Sequence, residues 1–282
     1  MKRSMKWGAA LAAGLLALSA CSSDSDSDGD SGSDAEGGSD IVVGLAYDIG
    51  GRGDQSFNDS AAAGLERAAE EFGLEFNELE AGNNETDTQK EERLRLLADA
   101  GNNPVLAIGF AYAGPLEKVA ADYPDTSFAI VDDASITAEN VANLIFAEQE
   151  GSALVGAIAA EASETGNIGF VGGVETPLIK KFEAGYIAGA ESVNPEITVQ
   201  VKYLTQPPDF SGFNDPAKGN NAAAGMYDQG ADVVYQAAGG SGPGVFQAGS
   251  AAEGLAIGVD SDPYLTASDD LTPIILTSMI KR

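Results

Sequence analysis

Apolar runs and helix-spaced apolar residues alternate along the chain from residue 41 onward. The first run, from Ile41 to Tyr47, is almost continuous, which is typical of a strand covered on both faces. Apolar residues from Phe57 to Phe72 then recur at helical spacing, and Gly73 ends this helix. The same patterns predict further strands at 74–79, 105–110, 127–131, 141–146, 167–171, 197–204, 232–236, 255–259 and 273–279. They predict further helices at 86–100, 115–122, 150–162, 178–192, 216–229 and 244–253.

This alternation predicts an α/β fold of parallel sheets flanked by helices. The units are more numerous than one sheet holds comfortably, so we expect two lobes. The N-terminal lobe is predicted to comprise residues 41–146 together with 261–282, and the second lobe residues 147–260. A chain that leaves one lobe and returns to it makes several crossings, which form a hinge. Ligands of such folds bind beyond the carboxyl ends of the strands, between the lobes.

The first twenty residues are predicted to be an export signal. A basic start is followed by an apolar stretch from Gly8 to Ala20, whose 13 residues are too few for a membrane-spanning helix. Cys21, the only cysteine, stands where bacterial lipoproteins carry their lipid. That resemblance implies cleavage before Cys21 and a diacylglycerol joined to its sulfur by a thioether bond, with palmitate among the acyl chains. The alternative is an ordinary signal peptide followed by a stray thiol.

Residues 21–40 are rich in Ser, Gly and acids, and we expect an extended tether that holds the folded part away from the membrane. The formal net charge of the chain is −29. Without the three basic residues before Cys21 and the seven acids of the tether, −25 remains on residues 41–282. This acidity argues against nucleic acid as a partner and against electrostatic capture of anionic ligands.

The segment between the first strand and the first helix is rich in polar groups and reads DIGGRGDQSFND, residues 48–59. It lacks the Gly-Lys-Ser/Thr ending of a phosphate loop, and its acids would repel phosphate. It offers carboxylates, amides and one aromatic ring at a helix start, a set that suits a neutral, flat, polar ligand. Phe57 fits the apolar stripe of the helix equally well, so stacking on a ligand and packing in the core both stay open.

A resemblance to a known family rests on an ordered set of motifs that spans Ile41 to Arg282. The opening run resembles that of the basic membrane protein (BMP) family, lipoprotein receptors of nucleoside ABC importers similar to purine nucleoside receptors. The further matches are FAIVD at 128–132, FNDPAKG at 213–219, GADV at 230–233, AGG at 238–240, IGVDSD at 257–262 and TSMIKR at 277–282. The resemblance implies a two-lobe, type I periplasmic-binding-protein-like fold, a monomer, and ABC permease and ATPase subunits as partners.

The family resemblance also implies a ligand site. It implies that Phe57 and Phe213 sandwich the base, that Asp132 accepts from the base edge, and that Asp260 and Lys281 hold the ribose. The Gly239 backbone would lie close by, and Asp48 and Asn58 would line the same cleft. Each position has an alternative reading: the aspartates as turn residues, the phenylalanines as core or loop anchors, and the glycines as a flexible turn. Phe182 and Tyr186, at helical spacing, are predicted to belong to the core. Further elements after Lys281 are implied as well.

An enzyme is not predicted. The chain has no histidine, its only cysteine lies in the lipoprotein motif, and no nucleophile elbow is present. No cofactor or metal is expected. We therefore expect a lipid-anchored protein on the extracytoplasmic face of the cell membrane that captures a nucleoside for import. The alternatives are a sugar receptor and a sensory lipoprotein of the same fold.

Overall fold

The computed structural model describes residues 41–82 and 85–281. The predicted signal peptide, the lipidated Cys21 and the tether therefore lie outside the described residues. Both sheets described below lie within a single compact unit. Across the described ranges, no helix is long and apolar enough to cross a membrane.

The first lobe is a parallel five-stranded sheet in the order β2-β1-β3-β4-β5. Its strands are β1 (Val42–Ala46), β2 (Glu75–Leu79), β3 (Val105–Ala107), β4 (Phe128–Val131) and β5 (Val141–Leu144). Its helices are α1 (Phe57–Phe72), α2 (Asp87–Asp99) and α3 (Ala113–Asp122). Two apolar clusters, one around Leu97 and Leu116 and one around Leu45 and Leu65, fill the layers between the sheet and the helices.

The second lobe repeats this topology, because its parallel sheet has the order β7-β6-β8-β9-β10. Its strands are β6 (Asn167–Val174), β7 (Thr198–Thr205), β8 (Val233–Ala237), β9 (Leu255–Asp260) and β10 (Ile275–Ile280). Its helices are α4 (Glu148–Ala162), α5 (Pro177–Val193), α6 (Pro216–Asp228) and α7 (Gly242–Ala252). Phe170, Tyr186 and Tyr235 form the aromatic centre of its core.

The strand pairing corrects one part of the predicted lobe division. The segment after residue 261 was expected to return to the first sheet, and that expectation was wrong. Its strand, β10, pairs in parallel with β9 and is the fifth strand of the second sheet, as β5 is of the first. Both fifth strands follow the fourth strand through a loop without an α-helix, at 132–140 and 261–274. The α/β character and the strand and helix positions agree with the predictions to within a few residues.

Candidate functional site

Loops at the carboxyl ends of the strands of both sheets surround one cavity with about 550 Å³ of empty space, including its opening. All eight predicted ligand-binding residues border it: Asp48, Phe57, Asn58, Asp132, Phe213, Gly239, Asp260 and Lys281. The first four come from the first lobe and the others from the second. The eight residues thus converge on one cavity, whereas their contact with a ligand stays a prediction.

The loop between β1 and α1 is held by a carboxylate and an amide. Asp54 accepts hydrogen bonds from the backbone N–H groups of Ser56, Asn58 and Asp59, which caps the free N-terminus of α1. The Asn58 side chain accepts from Asp48 N at 3.0 Å and donates to Asp54 and to the Ile49 carbonyl. Because these bonds occupy its amide, Asn58 shapes the cavity wall by fixing the loop. Asp54 was not predicted as a site residue, although it lies in the polar segment singled out from the sequence.

Asp132 and Asp260 occupy equivalent positions in the two lobes. Asp132 follows β4 and Asp260 ends β9, the fourth strand of each sheet. Both have left-handed backbones, with φ of 65° and 64°, a conformation that aspartate tolerates better than most residues. Strained backbones of this kind cluster at functional sites. The repeat of the topology therefore brings two carboxylates to one cavity from two different sheets.

Gly109 and Gly239 lie at similar positions after the third strand of their lobes, since Gly109 directly precedes a 3₁₀ turn and Gly239 begins one. Both have positive φ values, 102° and 53°. A Cβ at Gly109 would overlap the Asp48 carboxylate, and one at Gly239 would lie 3.2 Å from the Phe213 carbonyl oxygen. Glycine at these positions lets the backbone itself form part of the wall.

Lys281 joins the two lobes at the inner end of the cavity. Its ammonium forms an ion pair with Asp132 of the first lobe and lies 3.8 Å from Asp260 of the second. Three rings surround it, with Nζ 4.8 Å, 5.1 Å and 5.4 Å from the ring centres of Phe57, Phe146 and Phe182. The side chains of Lys281, Asp132 and Asp260 are all less than a tenth exposed. A buried charge cluster of this kind requires its charges to be paired.

The carboxylates of the cavity have raised pKa values. Desolvation raises the pKa of Asp260 to about 6, and the charge of Lys281 opposes the shift. Desolvation also raises the pKa of Asp48 to about 6 and shifts that of Asp132 upward. Asp132 Oδ1 and Asp260 Oδ1 are buried and have no hydrogen-bond donor among the described residues. These two buried carboxylate oxygens can therefore accept hydrogen bonds from a ligand.

Aromatic rings from both lobes line the cavity. Phe57 borders it and also packs against the core below α1, so its core role is confirmed and its stacking on a ligand stays a prediction. Phe182, predicted to belong to the core, is buried and borders the cavity as well, whereas Tyr186 lies in the core as predicted. Phe110 was not predicted. Its position at the carboxyl end of the strand predicted at 105–110 was the signal that could have identified it.

Asp133 and Asp262, which lie close to Asp132 and Asp260 in the sequence, are turn residues and do not border the cavity. Asp133 accepts hydrogen bonds from the backbone and hydroxyl of Ser135, so it is a turn residue. Asp262 accepts from the backbone of Tyr264 and caps the 3₁₀ turn that follows it. The turn reading is therefore correct for the second aspartate of each pair.

Comparisons with known proteins identify the family. The family model named Bmp, described as "ABC transporter substrate-binding protein PnrA-like", matches residues 41–282. The chain is 34% identical over 263 residues to the ABC transporter nucleoside-binding protein BmpA of Lactococcus lactis subsp. cremoris, covering 86% of this chain and 72% of that protein. It is 37% identical over 217 residues to an uncharacterized lipoprotein of Pyrococcus abyssi, covering 74% of this chain and 52% of that protein.

A solved structure agrees with the sequence match. An ABC transporter solute-binding protein from Aeropyrum pernix K1 is similar with a TM-score of 0.70 and 33% identity, covering 78% of this chain and 62% of that chain. This similarity confirms the predicted two-lobe, type I periplasmic-binding-protein-like fold. The present chain spans between 52% and 72% of the length of these three proteins. The chain belongs to the Bmp family of PnrA-like ABC transporter substrate-binding proteins.

Proposed function

We propose that the protein captures a nucleoside, with a purine as its base, and presents it to the permease and ATPase subunits of an ABC importer. One observation carries the proposal: two buried carboxylate oxygens without donors lie in a cavity that aromatic rings of both lobes line. A nucleoside supplies what such a cavity lacks, because its ribose carries hydroxyl donors and its base is a flat ring. The Lactococcus relative is named a nucleoside-binding protein, which supports the same ligand class.

The ribose is proposed to lie at the inner end of the cavity. Asp132 and Asp260 share the Lys281 ammonium there, and the Oδ1 atom of each accepts no hydrogen bond from the described residues. Carboxylates accept neighbouring hydroxyl groups in charge-assisted hydrogen bonds, which are stronger than neutral ones. The family resemblance implied that Asp132 accepts from the base edge, whereas the present proposal assigns it to the ribose. The reason is that Lys281 ties Asp132 to Asp260.

The base is proposed to lie nearer the opening, between the rings of Phe57 and Phe213 and beside Asp48. Phe57 belongs to the first lobe and Phe213 to a 3₁₀ turn of the second. Stacking of a base on an aromatic ring contributes about 1–3 kcal/mol and tolerates different bases. A raised pKa of Asp48 suits a carboxylate that exchanges water for a donor of the base edge.

Binding is proposed to close the hinge between the lobes. The rings and carboxylates come from both lobes, so a ligand makes its full set of contacts only when the cleft is closed. A ligand shifts a conformational balance by its differential affinity for the two states. The importer would then recognise the closed protein, which acts as a monomer.

The experiment that tests the function is a calorimetric titration of the purified full chain with purine and pyrimidine nucleosides, free bases, ribose and hexoses. We expect purine nucleosides to bind most tightly and Phe213→Ala to weaken them by about tenfold or more. Phe72→Ala is the matched control, because Phe72 is exposed at the end of α1 and its loss should leave binding unchanged. Binding of free sugars without binding of nucleosides would replace this function by the sugar-receptor alternative.

The anchor is proposed to be a lipid on Cys21, as the signal pattern and the printed name of the Pyrococcus relative support. Two acyl chains would hold the protein at the extracytoplasmic face of the membrane. Metabolic labelling with palmitate checks this: the wild type should carry label in the membrane fraction, and Cys21→Ser should carry none. Label that persists in Cys21→Ser would show that the lipid is elsewhere.

A further inference from the structure

A second cavity adjoins the ligand cavity at its outer end, and we call it the annex. It holds about 720 Å³ of empty space, including its opening to solvent. Four residues border both cavities: Asp48, Ile49, Phe110 and Phe213. The ribose-end residues Asp132, Asp260 and Lys281 border only the first cavity. The annex therefore continues from the end at which we placed the base.

Both lobes build the annex. The first lobe contributes Lys90 on α2 and Ala111, the residue after Phe110 in the sequence. The second lobe contributes the loop that carries Asp209 and Phe210. The Phe110 and Phe210 rings meet across the cleft with centres 6.0 Å apart, tilted by 60°. A group that projects from the base past Asp48 would enter a compartment that this ring pair borders.

The charges of the annex favour one kind of substituent. The Glu85 carboxylate is already paired with Arg93, and the Asp209 carboxylate accepts from the backbone of Ser211 at 2.9 Å. The Lys90 ammonium, in contrast, donates to the Glu85 carbonyl at 3.4 Å and takes part in no ion pair of the described residues. Asp48, the third carboxylate that borders the annex, accepts from the Ile49 backbone at 2.8 Å. Because all three carboxylates already have donors, the spare donors of Lys90 favour a hydrogen-bond acceptor or an anion.

We propose that the annex is a specificity subsite that admits a polar, preferably carboxylate-bearing substituent on the base of the bound nucleoside. The protein would then accept base-modified nucleosides in addition to unmodified ones. This inference rests on the proposed function, because it needs the base to lie beside Asp48.

The test compares adenosine with two derivatives that carry either a carboxymethyl or a neutral carbamoylmethyl group on N6. Titrated into the full chain, the acid should bind within about tenfold of adenosine or more tightly, since a group that does not fit a pocket typically costs more than that. A loss of more than about tenfold for both derivatives overturns the annex but leaves nucleoside binding intact. Failure of adenosine and other unmodified nucleosides to bind would instead remove the proposed function itself.

Two pairs of variants locate the effect. Ala111→Leu fills the annex without touching the ligand cavity, so it should weaken the derivatives about tenfold and leave adenosine unchanged. Its control is Ala184→Leu on the outer face of α5, which should change neither. If Ala111→Leu weakens both ligands equally, or slows the association of both equally, the annex is a passage and not a subsite.

Lys90→Gln tests the charge preference. It should reduce the advantage of the acid over the amide by about two- to fivefold, the range for a partly exposed ion pair. The ratio of the two derivatives is the readout, because the charge of Lys90 also lowers the pKa of Asp48 and its loss acts on every ligand whose base lies there. Lys118→Gln is the matched control, because Lys118 is exposed and paired with Glu91 away from both cavities. An unchanged preference in Lys90→Gln would contradict the assignment of Lys90 to the substituent.

Discussion

Asp260 is a carboxylate that the cavity desolvates and that the ligand is proposed to use. Its pKa of about 6 lies above the ordinary range, so the folded protein protonates it as the pH falls below 6. A protonated carboxyl loses the charge that strengthens its bonds to two hydroxyl groups. At pH 5 about a tenth of the side chain remains ionised. We therefore expect the affinity for a ribonucleoside, relative to its free base, to fall about tenfold between pH 7.5 and pH 5.

The comparison with the free base separates Asp260 from Asp48, whose pKa is also about 6 and which would affect base and nucleoside alike. Isothermal titration calorimetry of one purine nucleoside and its base at both pH values measures the ratio. Asp260→Asn should lower the ratio at pH 7.5 and weaken its dependence on pH, of which a part remains because desolvation also raises the pKa of Asp132 at the ribose. A wild-type ratio that is the same at both pH values would show that Asp260 does not contact the ribose.

The candidate site residues could be named because the ordered family motifs contain them, whereas their mutual contacts could not be predicted from the sequence. The sequence does not show which of Asp132 and Asp133 borders the cavity, because both are aspartates after the same strand. The left-handed backbone of Asp132 after β4 decides this. Asn58 was placed correctly at the cleft, but the sequence does not show that the loop occupies its amide. The family resemblance placed Asp132 at the base edge, and the sequence does not show the ion pair that joins Asp132 to Lys281, 149 positions away.

At the scale of elements, helices α4 and α5 pack with their backbones in direct contact. A Cβ at Gly189 would lie 2.6 Å from the Ala153 carbonyl carbon, and one at Gly185 would lie 2.8 Å from that of Gln149. Both obstacles are backbone atoms, which cannot rotate away as a side chain can. We expect Gly189→Ala to lower the free energy of unfolding by about 1–3 kcal/mol, although alanine is the better helix former.

Denaturant unfolding followed by circular dichroism measures this change. Gly225→Ala is the matched control, because Gly225 lies inside α6 and a Cβ there would meet no atom within 4 Å. That variant should gain up to about 1 kcal/mol from helix propensity alone. A Gly189→Ala variant as stable as Gly225→Ala would mean that the two helices separate easily.

Helix and strand positions were predictable because apolar runs, helical spacing and terminal glycines are local signals. The sheet that each strand joins, in contrast, depends on contacts with distant parts of the chain, which local signals do not show. β10 was assigned to the first sheet because the chain was expected to return there, and the structure pairs it with β9. The information that could have corrected this is the repeated order: the first lobe also adds its fifth strand through a helix-free loop.

For the whole molecule, the repeated topology explains why the site lies between the lobes. Equivalent strand ends carry Asp132 and Asp260, and equivalent turns carry Gly109 and Gly239. Each lobe alone provides half of these groups, so neither half can surround a ligand. If the hinge closes as proposed, its closing assembles the cavity, and whatever stabilises the closed arrangement should raise the apparent affinity.

Two hydroxyl groups outside the ligand cavity hold the lobes together in the present arrangement. Ser60 donates to the Asp260 carbonyl at 3.0 Å, and Ser261 donates to the Gln55 carbonyl at 2.6 Å. Neither residue borders the cavity. Each bond contributes about 0.5–1.5 kcal/mol, so the double variant Ser60→Ala and Ser261→Ala should populate the open state more and bind its ligand several-fold more weakly.

Small-angle X-ray scattering should show a larger radius of gyration without ligand and the wild-type value at saturation. Ser192→Ala, which removes a bond within α5, should change neither quantity. Weaker binding without a change in the radius would place the effect in the cavity wall and not in the hinge.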